Sequence, residues 1–246
     1  MPFPLAHPAA VLPLRRYAPK LFSFPALIVG SVAPDAAYCL RNTRVEEFSH
    51  SFWGCFGFSL PIGLLMLAAV RAACSWVLPV LPARYRRKLE PLSCFRFGPI
   101  LLVITSLLVG AWTHVLWDSF THNQGWFALH SPVLQTIVTM IGERHIRVCH
   151  LLWYASSYAG VAIVYLSFHR WRKAQRAGET VPDDREVRNP RNRTTTTKSD
   201  ILRALLVASL VIPIELMHHL VRGWLGAALV AVSSLLLVLG VVLREE

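Results

Sequence analysis

The sequence predicts an all-α integral membrane protein, a polytopic helical bundle with about five transmembrane helices and an N-terminal re-entrant or interfacial helix. Three observations predict it. Hydrophobic residues make up 54% of the 246 and charged residues only 16%, with a mean hydropathy of +0.45, whereas soluble domains carry about 25% charge. Five apolar stretches approach the roughly 20 residues needed to cross a bilayer. The excess of 25 Lys and Arg over 14 Asp and Glu gathers mainly between those stretches. The apolar runs exclude wholesale disorder, and five scattered cysteines in a chain of this length exclude a disulfide-built miniprotein.

The first twenty residues contain Pro2, Pro4, Pro8, Pro13 and Pro19. They lack the basic start, apolar run and small-residue cleavage site of a signal peptide, and read as an ordered or lipid-surface extension. Stretch 21–33 is apolar but holds Pro25 and Gly30 and is too short to span, so it is the re-entrant or interfacial helix. Stretches 51–70, 98–117, 151–168, 201–220 and 224–243 are the spanning helices. Strands at that depth would need a closed barrel with alternating polarity, which these runs do not show. Arg71 reaches the interface from the end of the first span, with 72–81 lying along the membrane surface. The chain is then a single membrane domain, 1–246. It comprises an outer extension 1–50, three spans within 51–168, a basic cytoplasmic linker 169–200 and two spans within 201–243.

Basic residues set the orientation. Five lie between the first and second spans and nine between the third and fourth, and with Arg203 and Arg244 that side holds sixteen against eight opposite. The sixteen belong in the cytoplasm, which puts residues 1–50 and 118–150 outside and the C-terminal end inside. In the linker, Glu179, Asp183, Asp184, Glu186 and Asp200 dilute the positive charge, and no aromatic residue follows Trp171. It reads as a topogenic loop with flexible character around 194–197, not as a nucleic-acid site. The expected partner is the lipid bilayer. No internal repeat of the kind many transporters carry is visible.

On this topology nine of the ten histidines, all but His169, fall in outer segments or near outer helix ends. The sharpest signal is His114-Val115-Leu116-Trp117-Asp118: His114 and Asp118 are four apart, so on a helix they share a face with Cβ atoms about 5 to 6 Å apart. Polar groups in a span usually face the bundle interior or an aqueous cavity. Metal or catalytic work and a buried structural hydrogen bond both fit the pair. His122 lies near the same face one turn further on, but Gly125 ends or loosens the element close by, which makes His122 a less secure partner. Gly30-Ser31-Val32-Ala33-Pro34-Asp35 describes an element that stops and presents a carboxylate, for a metal or for a helix cap. His50, in Phe48-Ser49-His50-Ser51, stands just before a hydrophobic helix as a ligand or an interfacial residue, and His7 before Pro8 is a ligand or a surface residue.

Pooled, His7, Asp35, His50, His114, Asp118 and His122 are the candidate metal ligands. Neutral imidazoles with carboxylates suit zinc, manganese or iron, and the absence of paired thiols argues against an iron–sulfur centre. Six candidates exceed one four-coordinate zinc, so they imply two metals, or one metal with carboxylates orienting the imidazoles from behind. His114 and Asp118 are the candidate catalytic residues, with Asp118 placed to orient or deprotonate water where it is not itself a ligand. Glu215 with His218 and His219 forms a second polar grouping on the fourth span. Tyr154, Ser156, Ser157 and Tyr158 fit ordinary helix packing. Trp53, Trp112, Trp117, Trp126, Trp153 and Trp224 fit an interfacial belt. No Gly-rich phosphate loop, nucleophile elbow or His-Glu-x-x-His pair is present, so no nucleotide or flavin cofactor is indicated. Among the cysteines, Cys39, Cys55 and Cys149 fall on or near the outside, where one disulfide is conceivable. The odd count and the lack of Cys-x-x-Cys make redox catalysis a poor expectation.

Four motifs in order, His7-Pro8-Ala9-Ala10-Val11-Leu12-Pro13, Gly30-Ser31-Val32-Ala33-Pro34-Asp35, Ser49-His50-Ser51 and Thr113-His114-x-x-x-Asp118-x-x-Thr121-His122, resemble a bacterial membrane-protein family catalogued as domain of unknown function 4184. They are also distantly similar to inner-membrane proteins labelled metal-dependent hydrolases. Carried over residue by residue, that second pattern implies roles for His7, Asp35, His50, His114, Asp118 and Thr121. It departs at Phe48-Ser49-His50-Ser51, where the distant family has a further upstream His. The resulting expectation is a multi-pass protein of the bacterial cytoplasmic membrane, a metal-dependent hydrolase acting at the interface on a lipid-linked or amphipathic ester or phosphoester. The rival expectation is a noncatalytic membrane protein, a small transporter or a structural or envelope factor, using the same residues as a polar or metal-binding cluster. Small residues such as Gly226, Ala227 and Ala228 can pack helices within or between chains, which leaves the oligomeric state open.

Overall fold

A computed structural model of the chain describes residues 4–18, 20–40, 42–80 and 99–176. The two last predicted spans, residues 177–200 of the basic linker and the grouping of Glu215, His218 and His219 lie outside the described residues. A 3-10 turn, Pro4–Ala6, precedes α1 (Pro8–Tyr17) and α2 (Phe24–Gly30). A second 3-10 segment, Ala33–Leu40, leads to α3 (Thr43–Ser49). A π-helical turn, Cys55–Ser59, feeds α4 (Leu60–Val80), followed by α5 (Ile100–Thr121), α6 (Trp126–His130) and α7 (Pro132–Gln135). Strands β1 (Ile137–Ile141) and β2 (Arg144–Arg147) come before the long α8 (Val148–Arg176).

Among the described residues, three helical stretches are long and apolar enough to cross a membrane: Cys55–Ala72, Ile100–His130 and Val148–Arg170. They overlap the first three predicted spans. Only 22%, 33% and 17% of their most apolar windows are buried, and Leu65, Ile100, Leu101 and Ile163 are exposed. Apolar flanks left open on three adjacent helices are compatible with lipid as their solvent.

Two details differ from the sequence expectation. Helix α4 runs unbroken past Arg71 to Val80 instead of turning onto the membrane surface, because Arg71 is followed by two alanines, the strongest helix formers. The fold is also mostly helical, not wholly so. The β-branched run Thr136-Ile137-Val138-Thr139 favours extended backbone, and Gly142, at φ 62°, closes a hairpin that pairs Ile141 with Arg144 and Met140 with His145.

The short α2 packs along α5, and glycine makes the approach possible. A Cβ on Gly30 would collide with the Leu107 carbonyl, and one on Gly110 with the Leu27 carbonyl. Ala26, Leu67, Val103 and Leu107 fill the adjoining core, while Cys55, Leu108 and Ala111 form a second cluster against α4's entry turn. Ser106 Oγ accepts a hydrogen bond from Ser23 N at 2.8 Å, buried, and pins the start of α2 to α5. On α8, Gly160 leaves room for Ala6, whose Cβ would lie 2.6 Å from any Cβ added there. That contact holds the N-terminal turn, and with it His7, against the bundle. The start of α4, the end of α5 and the start of α8 therefore meet at one end of the bundle.

Candidate metal centre

At that end, four side chains from three separate local structures converge. His114 occupies the face of α5 that carries Ser106 and Gly110, two turns and one turn earlier, and so points at the C-terminal end of α2. Its Nδ1 lies 2.8 Å from the carbonyl oxygen of Ser31. A carbonyl only accepts, so Nδ1 carries the hydrogen and donates, which leaves Nε2 turned inward. His50 ends α3, and its Nδ1 donates to the Glu46 carbonyl at 2.8 Å. Ser49 Oγ is 2.9 Å from the same nitrogen and itself donates to Glu46 O. The His50 Nε2 is thereby also directed inward. Asp35 comes from the 3-10 segment that follows α2, and Asp118 from the turn of α5 after His114.

The inward atoms are evenly spaced. His114 Nε2 is 3.1 Å from Asp35 Oδ1 and 3.4 Å from Asp118 Oδ2. His50 Nε2 is 3.3 Å from Asp35 Oδ1 and 3.6 Å from Asp118 Oδ2. The two Nε2 atoms are 3.3 Å apart, and one donor from each of the four residues lies within 4.8 Å of all the others. In a tetrahedral site with ligands about 2.0–2.2 Å from the metal, neighbouring donors are about 3.3–3.6 Å apart. Five of the donor separations, 3.1–3.6 Å, lie at or within a few tenths of an ångström of that spacing. His114 and Asp118 are buried, and Asp35 nearly so. Asp35 Oδ2 and both Asp118 oxygens are buried without a hydrogen-bond partner. Buried orphan acceptors are costly, and the two facing Nε2 lone pairs, on rings whose Nδ1–H groups donate to carbonyls on the far side, repel at this distance. A proton or a metal ion relieves both faults, so the group could hold a metal ion.

Of the other sequence candidates, His7 stacks on His114 with ring centroids 3.7 Å apart, and its Nε2 is 3.6 Å from Asp118 Oδ1. Burial, and then the neighbouring His114, push its pKa down to about 3, so the ring is neutral. His7 begins α1 without capping it by its side chain. Burial opposes charge on Asp35, but the neighbouring imidazoles, His114 first and then His50, outweigh it and hold the carboxyl below its usual range. Asp35 makes no capping bond. His122 ends α5, with Nδ1 donating to Asp118 O at 3.0 Å and lying 3.8 Å from Asp118 Oδ2. Thr121 is buried beside it, with Oγ1 3.3 Å from the Trp117 carbonyl. His130 is exposed and hydrogen-bonds within its own helix to Trp126 O. Cys39, Cys55 and Cys149 are free thiols.

Sequence reasoning missed the groups that aim the imidazoles, the carbonyls of Ser31 and Glu46, and also Tyr38, whose ring meets His50 edge-on at 5.5 Å. Burial and then Asp35 raise the Tyr38 phenol far above its ordinary range, so it stays protonated. The four-residue spacing of Glu46 and His50 was a usable signal for one of these. No spacing links Ser31 to His114.

No curated protein and no solved structure matches the chain. The family model for a domain of unknown function (DUF4184) matches residues 1–244. With nearly its whole length matched and all four motifs inside the match, the chain belongs to this family.

Proposed function

We propose that the protein is a multi-pass protein of the bacterial cytoplasmic membrane that holds one divalent metal through Asp35, His50, His114 and Asp118. Zinc suits the tetrahedral spacing better than manganese or iron. We propose further that it hydrolyses a lipid-linked or other amphipathic ester or phosphoester at the outer interface. The observation that carries this reading is the set of four convergent donors at ligand spacing, two of them on buried side chains of one helix face and two of them fixed in tautomer by main-chain carbonyls. The motif resemblance to metal-dependent hydrolases points the same way.

A cation bound there supplies a lowered water pKa and stabilisation for negative charge on a reacting oxygen. The chain supplies the rest. Ser31 and Glu46 keep both imidazoles in the tautomer that presents Nε2. Asp118 Oδ1, buried and without a donor, is placed to accept a proton from water. His7, neutral and stacked on His114, limits that ring's rotation and shields it from the N-terminal side. His122, at the helix end, stands on the rim.

A second reading is favoured by one specific feature. Four protein donors complete a tetrahedral site, as in structural zinc centres, whereas catalytic sites keep a position open. The same metal would then support a noncatalytic membrane protein, a small transporter or a structural or envelope factor. The test is hydrolysis of bis(p-nitrophenyl) phosphate and p-nitrophenyl octanoate by zinc-loaded, detergent-purified protein. The enzyme reading expects product release that stops with chelator and in Asp118→Asn. Metal-replete parent protein that turns over neither probe supports the noncatalytic reading.

A further inference from the structure

Next to the metal candidate lies a cavity of about 470 Å³, lined among others by His122, His145, Arg147, His150, Trp153 and Tyr154. It falls within the about 300–1,000 Å³ typical of small-molecule sites. Its chemistry is the reverse of its neighbour's, since no carboxylate lines it. Among the described residues none pairs with the Arg147 guanidinium. His150 Nδ1 accepts a hydrogen bond from the Arg147 backbone N–H at 3.1 Å, and that group only donates, so the neutral ring carries its hydrogen on Nε2. The Trp153 indole N–H is buried with no acceptor. Guanidinium, imidazole N–H and indole N–H are all donors lacking an anion. The cavity also sits at the start of the 29-residue α8, where the helix dipole favours negative charge. Thr121 and His122, which also line the cavity, are the last residue and the C-cap of α5, about one turn from Asp118.

We propose that this cavity binds a phosphoryl oxyanion, so that the substrate is a phosphoester and not a carboxylic ester. The inference rests on the metal-hydrolase reading and narrows it. Arg147 pairs with two phosphoryl oxygens, as a planar guanidinium does, and His150 and Trp153 donate to the others. The ester bond then faces Asp118 and the metal candidate. In the hydrolysis, the water oxygen joins phosphorus, the bond to the leaving alkoxide breaks and one water proton ends on that alcohol. Phosphoryl chemistry has two sources, a lipid headgroup and a soluble phosphate compound. The exposed apolar side chains of Trp126, Leu129, Val133 and Ile137 on the adjoining segment suit the first.

The test is calorimetric titration of detergent-purified protein with dihexanoylphosphatidic acid, inorganic phosphate and dihexanoylglycerol. Elemental analysis of the same samples reads the metal centre separately. Phosphatidic acid binds the parent, and Arg147→Gln weakens it about tenfold or more, the loss of a charged hydrogen-bond pair. Arg147→Lys recovers part of the loss, and metal content does not change in either variant. Phosphatidic acid binding more tightly than inorganic phosphate identifies a lipid headgroup, and equal binding identifies a soluble phosphate compound. Dihexanoylglycerol binding as tightly as phosphatidic acid, or Arg147→Gln binding it like the parent, overturns the proposal. A parent free of metal that still shows Arg147-dependent phosphate binding overturns the metal reading and leaves this cavity's assignment standing.

Discussion

Two groups of imidazoles sit side by side at one end of the bundle, and their surroundings give them opposite uses. His50 and His114 donate Nδ1–H to main-chain carbonyls and turn Nε2 toward two buried carboxylates. Histidine 150 has its Nδ1 occupied by a backbone N–H and keeps its hydrogen on Nε2, among donors and no carboxylate. The first arrangement could hold a cation, and the second is the one proposed for an anion. The difference teaches that histidine content says little until the tautomer is fixed, and the nearest main-chain group fixes it. Variants that strike one region should therefore leave the other intact.

The largest effect is expected from Asp35→Asn, which keeps the shape and removes a charged ligand. Changes merely behind a metal ligand cost about 10–100-fold in affinity, so metal affinity measured by competition with a chelator should fall by more than about a hundredfold. Phosphate binding at the cavity should survive. Retention of parent affinity would break the comparison on the cation side.

Gly110→Ala should come next. The new Cβ meets the Leu27 carbonyl on α2, and a clash with main chain cannot be relieved by a rotamer change. A loss of roughly 2–3 kcal/mol, in the upper range for overpacking, is expected in denaturant titration. Because α2 carries the Ser31 carbonyl that aims His114, metal should be lost as well. The cavity, built by the ends of α5, β2 and α8, should keep its ligand. Ser106→Ala removes the acceptor for the Ser23 N–H without adding bulk, and a buried donor left unpaired costs about 1–2 kcal/mol. It should lower stability with smaller metal loss than Gly110→Ala.

Much of this was legible in the sequence because it depends on local pattern. Three helices long and apolar enough to cross a membrane follow from hydropathy alone, and the short apolar stretch before Asp35 is too brief to do so. The candidate set that held Asp35, His50, His114 and Asp118 came from placing sequence-distant residues at one depth. What was not legible is non-local. The α2–α5 contact that brings Asp35 to His114 depends on Gly30 and Gly110 facing each other across 80 residues of chain. The hairpin's β-branched run was hidden inside a loop read only for its histidines. The cavity needed Arg147, read as one of the basic residues setting orientation, to be seen beside His150 and Trp153.

The smallest effect expected is graded with pH. Protons compete with metal for the inward Nε2 atoms, so metal affinity should fall as pH drops through the imidazole range, with proton release on binding at neutral pH. Affinity independent of pH would mean that the imidazoles are not ligands.

The most direct test is elemental analysis of detergent-purified parent protein beside a His114→Ala, Asp118→Ala double variant, with helicity and monodispersity matched. The account predicts close to one metal ion per parent chain and almost none in the folded double variant. Equal, substoichiometric metal in both would contradict it.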